Sequence, residues 1–126
     1  MSVHRIWNSE SIKLELPYPP SVNTYWRSNG KRRFISKAGV EFTKEVDFVV
    51  KQGKYPSFGP NKVAMSIMIH PRSKRKFDLD NTLKAILDAL MKAGVYNDDS
   101  QVDYIEIAKG EQVDKGKAVV HLYNCI

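Results

Sequence analysis

The sequence predicts a single α+β domain in which two main helices pack on a small mixed β-sheet, in the order β-α-β-α-β-β. Four short stretches alternate apolar with polar residues, which is typical of strands. Two longer stretches carry apolar residues at helical spacing, and a glycine follows each of them. The length of 126 residues suits one domain, so residues 1–126 are treated as one unit.

The first strand is expected at Ser11 to Leu16, and residues 1–10 are expected to form a loosely ordered lead-in. Prolines at positions 17, 19 and 20 end this strand, because proline cannot donate to a sheet ladder. A rigid loop follows, in which Tyr25 and Trp26 either stack on bases or fill the edge of the core. Asn23 and Arg27 of this loop are candidate DNA contacts.

Two helices are predicted from apolar periodicity. The first covers residues 37–52, with Ser36 as its N-cap and Gly53 just beyond its end. The second covers residues 81–93 and ends at Gly94. Each presents one apolar stripe, so both are expected to pack on the sheet.

The remaining strands follow from alternation of apolar and polar residues. Lys62 to His70 is apolar on both faces, which places it inside the sheet. Val102 to Lys109 and Lys117 to Tyr123 are predicted to pair as a hairpin.

Composition limits the partners. The net charge of +6 and the isoelectric point of about 9.4 favour a polyanion such as nucleic acid, or an anionic membrane surface. With Cys125 as its single cysteine, the chain can form neither an intrachain disulfide nor a multi-cysteine zinc site. It has no apolar run long enough to cross a bilayer and no signal peptide, so a cytoplasmic protein without a membrane partner is expected.

A basic segment runs directly into two carboxylates, Asp78 and Asp80. Its cations are Arg72, Lys74, Arg75 and Lys76. Cations attract phosphates and carboxylates repel them, so the two kinds of group are compatible at one point if a divalent metal ion lies between carboxylates and phosphate. This arrangement is typical of a metal-dependent nuclease.

Asp99 is the third candidate ligand. Two carboxylates about 4 Å apart repel by roughly 4 kcal/mol at an effective dielectric near 20, and a divalent cation removes that cost. Ligands that are all oxygen suit Mg²⁺, with Mn²⁺ as a substitute. The intervening helix spans roughly 18 Å, so Asp99 reaches Asp78 and Asp80 only if the loop after Gly94 turns back.

Lys84 lies four residues after Asp80 and therefore projects from the same face of the helix. It could neutralise charge that develops on a phosphate. The alternative is an ordinary solvated ion pair with Asp80 or Asp88 along the helix.

The aspartates also have purely structural interpretations. Asp78 or Asp80 could cap the helix that follows, although one cap would not explain two carboxylates beside four cations. Asp98 and Asp99 could simply be turn residues.

Four motifs, in this order and spacing, resemble those of the RusA-like Holliday junction resolvases, small endonucleases common in phages and prophages. They are Leu16-Pro-Tyr-Pro-Pro-Ser-Val-Asn23, Arg75-Lys-Phe-Asp78-Leu-Asp80-Asn81, Lys84 with Leu87-Asp-Ala-Leu90, and Gly94-Val-Tyr-Asn-Asp98-Asp99-Ser-Gln-Val102. The resemblance covers most of the chain, from about Leu14 to the last strand.

The resemblance implies a homodimer that binds four-way junction DNA and cuts two opposing strands symmetrically, in DNA recombination and repair. The nicks would carry 5′-phosphates that ligase can seal. It implies that Asp78, Asp80 and Asp99 are the metal-binding catalytic aspartates and Lys84 the catalytic lysine. Asn81 matches a position beside the site, and the basic segment before Asp78 matches a DNA-binding segment.

Two other functions fit parts of the pattern. A non-catalytic nucleic-acid-binding domain needs the cations but not the carboxylates. A phosphotransferase that forms an aspartyl phosphate is suggested by Asp78-Leu-Asp80, but that motif should follow a hydrophobic strand directly, and here residues 72–77 intervene.

Overall fold

The computed structural model describes residues 7–125. Its elements are β1 (Trp7–Leu16), α1 (Val22–Tyr25), β2 (Trp26–Asn29), β3 (Arg32–Ile35), α2 (Lys37–Gly53), β4 (Val63–His70), α3 (Leu79–Lys92), a short 3-10 helix (Asp99–Gln101), β5 (Val102–Lys109) and β6 (Lys117–Cys125). The predicted α+β class is confirmed. None of the helices in this range is both long enough and apolar enough to cross a membrane.

The main sheet has four strands in the order β1-β6-β4-β5. β4 is parallel to β5 and antiparallel to β6, and β1 pairs with β6 on the outer side. The interior position predicted for residues 62–70 is confirmed, since β4 has a neighbour on each side. Because β4 and β5 are parallel, α3 forms the crossover between them and starts close to the C-terminal end of β4.

The predicted hairpin of residues 102–109 and 117–123 is wrong, because β5 and β6 lie on opposite sides of β4. The connection between them passes over the end of β4. The amide of Gly110 donates to the carbonyl of Ile69 at 2.8 Å, and the amide of Val113 donates to the carbonyl of Pro71 at 3.0 Å. Alternation in the sequence identified two strands but carried no information on which strand each would pair with.

The predicted lead-in, residues 1–10, is wrong in part, because Trp7–Leu16 forms one strand. Residues 1–6 lie outside the described residues. The predicted loop after the first strand also contains more structure than expected, namely α1 and a two-stranded ribbon of β2 and β3. Gly30 occupies the first position of the two-residue turn in this ribbon, where its φ of +65° suits glycine.

The helix ends follow the sequence closely. Ser36 caps α2, and its hydroxyl oxygen accepts a hydrogen bond from the Gly39 amide at 3.1 Å. Gly53 was expected beyond the end of this helix, but it lies in the last turn, and Lys54 adopts the left-handed conformation with φ 54°. α3 starts two residues earlier than predicted and is followed by Gly94 at φ +82°.

One core cluster joins the helices to the sheet. The predicted apolar stripes supply its helical part, with Phe42, Val46 and Val50 of α2 and Ile86 and Leu90 of α3 all buried. Alternate residues of β4 and β6 supply the sheet part. This core holds the end of β4 and the start of α3 together, and Asp78 and Asp80 lie at the start of α3.

Candidate active site

Asp78 and Asp80 lie where the basic loop meets α3. Asp78 occupies the N-cap position, but its side chain makes no capping hydrogen bond. Asp80 is in the first turn of the helix, and both residues are exposed. Since neither carboxylate is used to cap the helix by its side chain, both are available to a ligand.

Asp99 is brought back to the same helix. Its Oδ2 lies 3.6 Å from Nζ of Lys84, one turn after Asp80. The chain after Gly94 therefore brings Asp99 to the second turn of α3, and its approach to Asp78 and Asp80 stays a prediction. Among the ion pairs of residues 7–125, Lys84 pairs with neither Asp80 nor Asp88 of its own helix, and Asp88 pairs with Lys92 at 3.1 Å.

The position of Asp99 is fixed by its neighbours. The Asp98 carboxylate accepts hydrogen bonds from the amide and hydroxyl of Ser100, which lower the pKa of Asp98. Nε2 of Gln101 donates to the carbonyls of Gly59 at 2.7 Å and Asn61 at 2.8 Å. Asp98 is thus a turn residue, as one interpretation of the sequence held, and Gln101 anchors the turn that presents Asp99.

Tyr96 ties this turn to α3 from the inside. The residue is buried, and its hydroxyl donates to the carbonyl of Leu87 at 2.7 Å. Burial raises the pKa of Tyr96, and the negative charges of Asp99, Asp88 and Asp98 raise it further. The ring therefore remains a neutral donor, and the loop that carries Asp99 stays attached to the helix that carries Lys84.

A second buried contact joins α1 to α3. Tyr25 is fully buried, and its hydroxyl donates to the carboxylate of Asp88, which also pairs with Lys92. Of the two roles that the sequence left open for Tyr25, the structural one applies, because a buried ring cannot stack on DNA bases. The contact sets where α1, and with it Asn23, lies relative to the start of α3.

We expect Tyr25→Phe to lower the free energy of unfolding by about 1–3 kcal/mol, because it leaves a buried carboxylate with one donor fewer. Burial and the hydrogen bond to Asp88 raise the pKa of Tyr25 to about 12 from 10.0. A raised pKa stabilises the fold below pH 10, and this contribution is lost as the pH rises towards 12. Urea unfolding at pH 8 and at higher pH measures both effects.

Tyr55→Phe is the matched control, because Tyr55 is exposed and its hydroxyl bonds a carbonyl at the surface. The alkaline loss of stability should become shallower in Tyr25→Phe without vanishing, since the pKa of Tyr96 is raised as well. An unfolding curve for Tyr25→Phe identical to that of the wild type at both pH values would contradict the role given to this hydroxyl.

The chemistry of the three aspartates suits a hard divalent cation, because every ligand is a carboxylate oxygen. Within residues 7–125, Asp78 and Asp80 form no ion pair within 4 Å, whereas Asp99 is paired with Lys84. The same part of the chain contains no group of three His, Cys, Asp or Glu side chains already arranged to hold a metal ion. A shared metal site of Asp78, Asp80 and Asp99 therefore stays a prediction.

Four predicted DNA contacts gather around one cavity. Asn23, Arg75, Lys76 and Asn81 line a space of about 370 Å³ that Asp78 also lines. Nδ2 of Asn81 lies 3.5 Å from Oδ2 of Asp78. Residues from the proline-rich loop, α1, the basic loop and α3 thus meet beside one carboxylate.

The other predicted DNA contacts lie elsewhere on the surface. Lys74 is exposed in the basic loop, and the guanidinium of Arg72 lies over the ring of Tyr18 at 5.3 Å. Arg27 is on β2 of the ribbon, beside exposed Lys31 and Arg32. The ribbon is therefore a second positively charged surface, separate from the cavity.

Sequence reasoning did not assign Tyr18 and Phe77 to the site. Their ring centroids are 6.2 Å apart in an edge-to-face arrangement, and both residues line the cavity. Phe77 interrupts the basic segment directly before Asp78, and Tyr18 stands among prolines. These unusual positions were the available signals, but only the structure brings the two rings into contact.

Comparison with known proteins gives consistent matches. The family model described as Endodeoxyribonuclease RusA matches residues 17–123. A crossover junction endodeoxyribonuclease of Enterobacteria phage HK97 is 39% identical over 102 residues, covering 81% of this chain and 85% of that protein. Proteins of the same name from Shigella sonnei strain Ss046 and Escherichia coli strain K12 are 37% and 36% identical, each covering 82% of this chain and 91% of its own length.

Proposed function

This chain belongs to the RusA family of endodeoxyribonucleases, and we propose that it resolves Holliday junctions with a divalent cation held by Asp78, Asp80 and Asp99. The activity is that of a crossover junction endodeoxyribonuclease, the name its relatives carry. The observation that supports the assignment to these residues is the approach of Asp99 to Lys84, which lies one turn after Asp80 on α3. We propose Mg²⁺ as the cation, with Mn²⁺ as a substitute.

The reaction is hydrolysis of a phosphodiester. The oxygen of a water molecule bonds to phosphorus while the bond to the 3′-oxygen breaks, and the products are a 3′-hydroxyl and a 5′-phosphate. A divalent cation bound by the aspartates would supply a Lewis acid for the phosphate and would lower the pKa of the attacking water.

The protein's own residues hold the strand and balance its charge. Arg75 and Lys76 lie beside Asp78 and would bind the phosphates that flank the cleaved one. Lys84 is exposed enough to reach a phosphate oxygen, and its ammonium would stabilise the negative charge that develops there. Arg27, Arg72 and Lys74 would extend the contact along the DNA backbone.

We propose that two copies act together as a homodimer. Symmetric resolution needs two cuts in opposing strands, and residues 7–125 carry one such acidic site beside one basic loop. A two-fold dimer would place two identical sites on a junction whose arms are also related by two-fold symmetry. The reaction would take place in the cytoplasm, during recombination and repair of DNA.

A supercoiled plasmid with an extruded cruciform tests the function. With Mg²⁺ and low salt, the full chain should convert the plasmid mainly to linear DNA, because paired cuts across the cruciform linearise a circle and a single cut only nicks it. Each end of the product should be a hairpin with one nick that ligase can seal. Low salt is used because affinity that depends on phosphate contacts falls steeply with ionic strength. A plasmid without the inverted repeat is the control and should remain uncut.

Two results would contradict the proposal. Nicked circles as the final product would argue against paired sites. Binding of the cruciform without any cleavage, with Mg²⁺ or Mn²⁺, would favour a nucleic-acid-binding domain that lacks catalytic activity.

A further inference from the structure

The cavity beside Asp78 has the size and lining of a ligand site. Its volume of about 370 Å³ falls within the usual range of small-molecule pockets. The loop around Pro19, helix α1, the basic loop and the start of α3 all contribute to its walls. It therefore lies next to the phosphate that the proposed reaction would cleave.

The aromatic residues of its lining contact each other, and each ring also contacts a cation. The rings of Tyr18 and Phe77 pack edge to face at an interplanar angle of 77°. Arg72 lies over the Tyr18 ring at 5.3 Å, and Lys109 lies over the Phe77 ring at 4.6 Å. Neither cation is among the described residues that line the cavity, whereas Tyr18 and Phe77 both line it.

The polar part of the lining carries the groups that read a base. Asn23 and Asn81 contribute side-chain amides, which can donate to and accept from the edge of a nucleobase. Arg75 and Lys76 contribute positive charge for the attached phosphates. An aromatic surface, two amides and two cations together match a nucleotide better than they match a phosphate alone.

We infer that this cavity accepts the nucleobase next to the cleaved phosphate, turned out of its stack, and thereby sets the sequence preference of cleavage. The inference rests on the function proposed above and adds a substrate group to that site. In the open form of a junction, base pairs at the crossover stack on a neighbour on one side only, so turning a base out costs less there than within a duplex. Stacking on Tyr18 or Phe77 and hydrogen bonds to Asn23 would replace what is lost.

The first test measures sequence preference. A set of synthetic four-way junctions carries each of the four bases at each position beside the nick, and cleavage rates with Mg²⁺ give the preference of the wild type. We expect Asn23→Ala to reduce the preference at one position by about ten-fold, because a base-edge contact is lost, while cleavage of the least favoured junction continues. Gln52→Ala, an exposed amide in the last turn of α2, is the matched control and should keep the wild-type profile.

The second test detects the base directly. Junctions carrying 2-aminopurine at single positions are bound with divalent ions chelated, so that they stay intact. Fluorescence should rise on binding at one position beside the nick, because 2-aminopurine brightens when it leaves the stack. The rise should be lost in the double variant Asn23→Ala/Phe77→Ala and kept in Gln52→Ala.

The outcomes separate this inference from the proposed function. Cleavage with an unchanged preference in Asn23→Ala and no fluorescence rise at any position would overturn the base pocket and leave the nuclease assignment intact. A wild type that cuts no junction would overturn the proposed function. The fluorescence measurement needs no cleavage, so a rise at one position would still support entry of a base into the cavity, and no rise at any position would contradict it.

Discussion

Junction cleavage by Asp80→Asn is expected to be slower than that of the wild type by about a thousand-fold or more, because loss of a ligand removes metal-ion stabilisation worth about 4 kcal/mol in the transition state. Asp80 is exposed in the first turn of α3 and pairs with no described cation, so its replacement by the isosteric amide should not disturb the fold. The measurement is the single-turnover rate on a synthetic four-way junction with Mg²⁺.

Asp103→Asn provides the matched control for Asp80→Asn. Asp103 is also an exposed aspartate, but it lies on β5 and pairs with Lys62 at 3.4 Å, away from the start of α3. Junction binding by Asp80→Asn should be equal to or tighter than wild type, because one charge that repels phosphate is gone. Equal cleavage rates for Asp80→Asn and the wild type would remove the catalytic assignment of this carboxylate.

Lys84→Gln is expected to lower the cleavage rate by about a hundred- to a thousand-fold, the usual cost of removing one group that stabilises developing charge. The side chain is about half exposed, at 49%, and its Nζ lies 3.6 Å from Asp99, so it is positioned between solvent and the acidic residues. Glutamine keeps most of its length but carries no charge. Because Lys84 contacts Asp99, the variant also tests whether the lysine acts on the phosphate or only holds the aspartate.

A metal titration distinguishes these two roles of Lys84. If Lys84 acts on the phosphate, the cleavage rate of Lys84→Gln at saturating Mg²⁺ should be lower than that of the wild type. The Mg²⁺ concentration for half-maximal rate should not rise, because an uncharged side chain at position 84 does not compete with Mg²⁺ for Asp99. If it only positions Asp99, high Mg²⁺ should restore the rate, and that result would contradict the catalytic role. Lys44→Gln on the exposed surface of α2 controls for the loss of one positive charge.

Much of the fold was predictable because its signals are local. Each of these signals depends only on residues close together in the sequence. They are the alternation of β4, the apolar stripes of α2 and α3, the N-cap Ser36, and Gly94 after the end of α3. The family resemblance read from four motifs was confirmed by the match over residues 17–123. The pairing of β5 with β6 was predicted wrongly, because the partner of a strand depends on contacts with distant parts of the chain. Here β4 lies between the two strands, and residues 110–116 pass over its end.

The sequence by itself determined which charged side chains can act together, because four cations, Asp78, Asp80 and Lys84 follow one another along one loop and one helix. Only the tertiary structure decided that Lys84 meets Asp99 rather than Asp88, since that contact depends on the anchoring of a distant turn by Tyr96 and Gln101. It also decided that Tyr18 and Phe77, which are far apart in the sequence, are in contact and line one cavity together with Asp78. Contacts between segments far apart in the chain are set by packing around the shared core, and no local pattern records them.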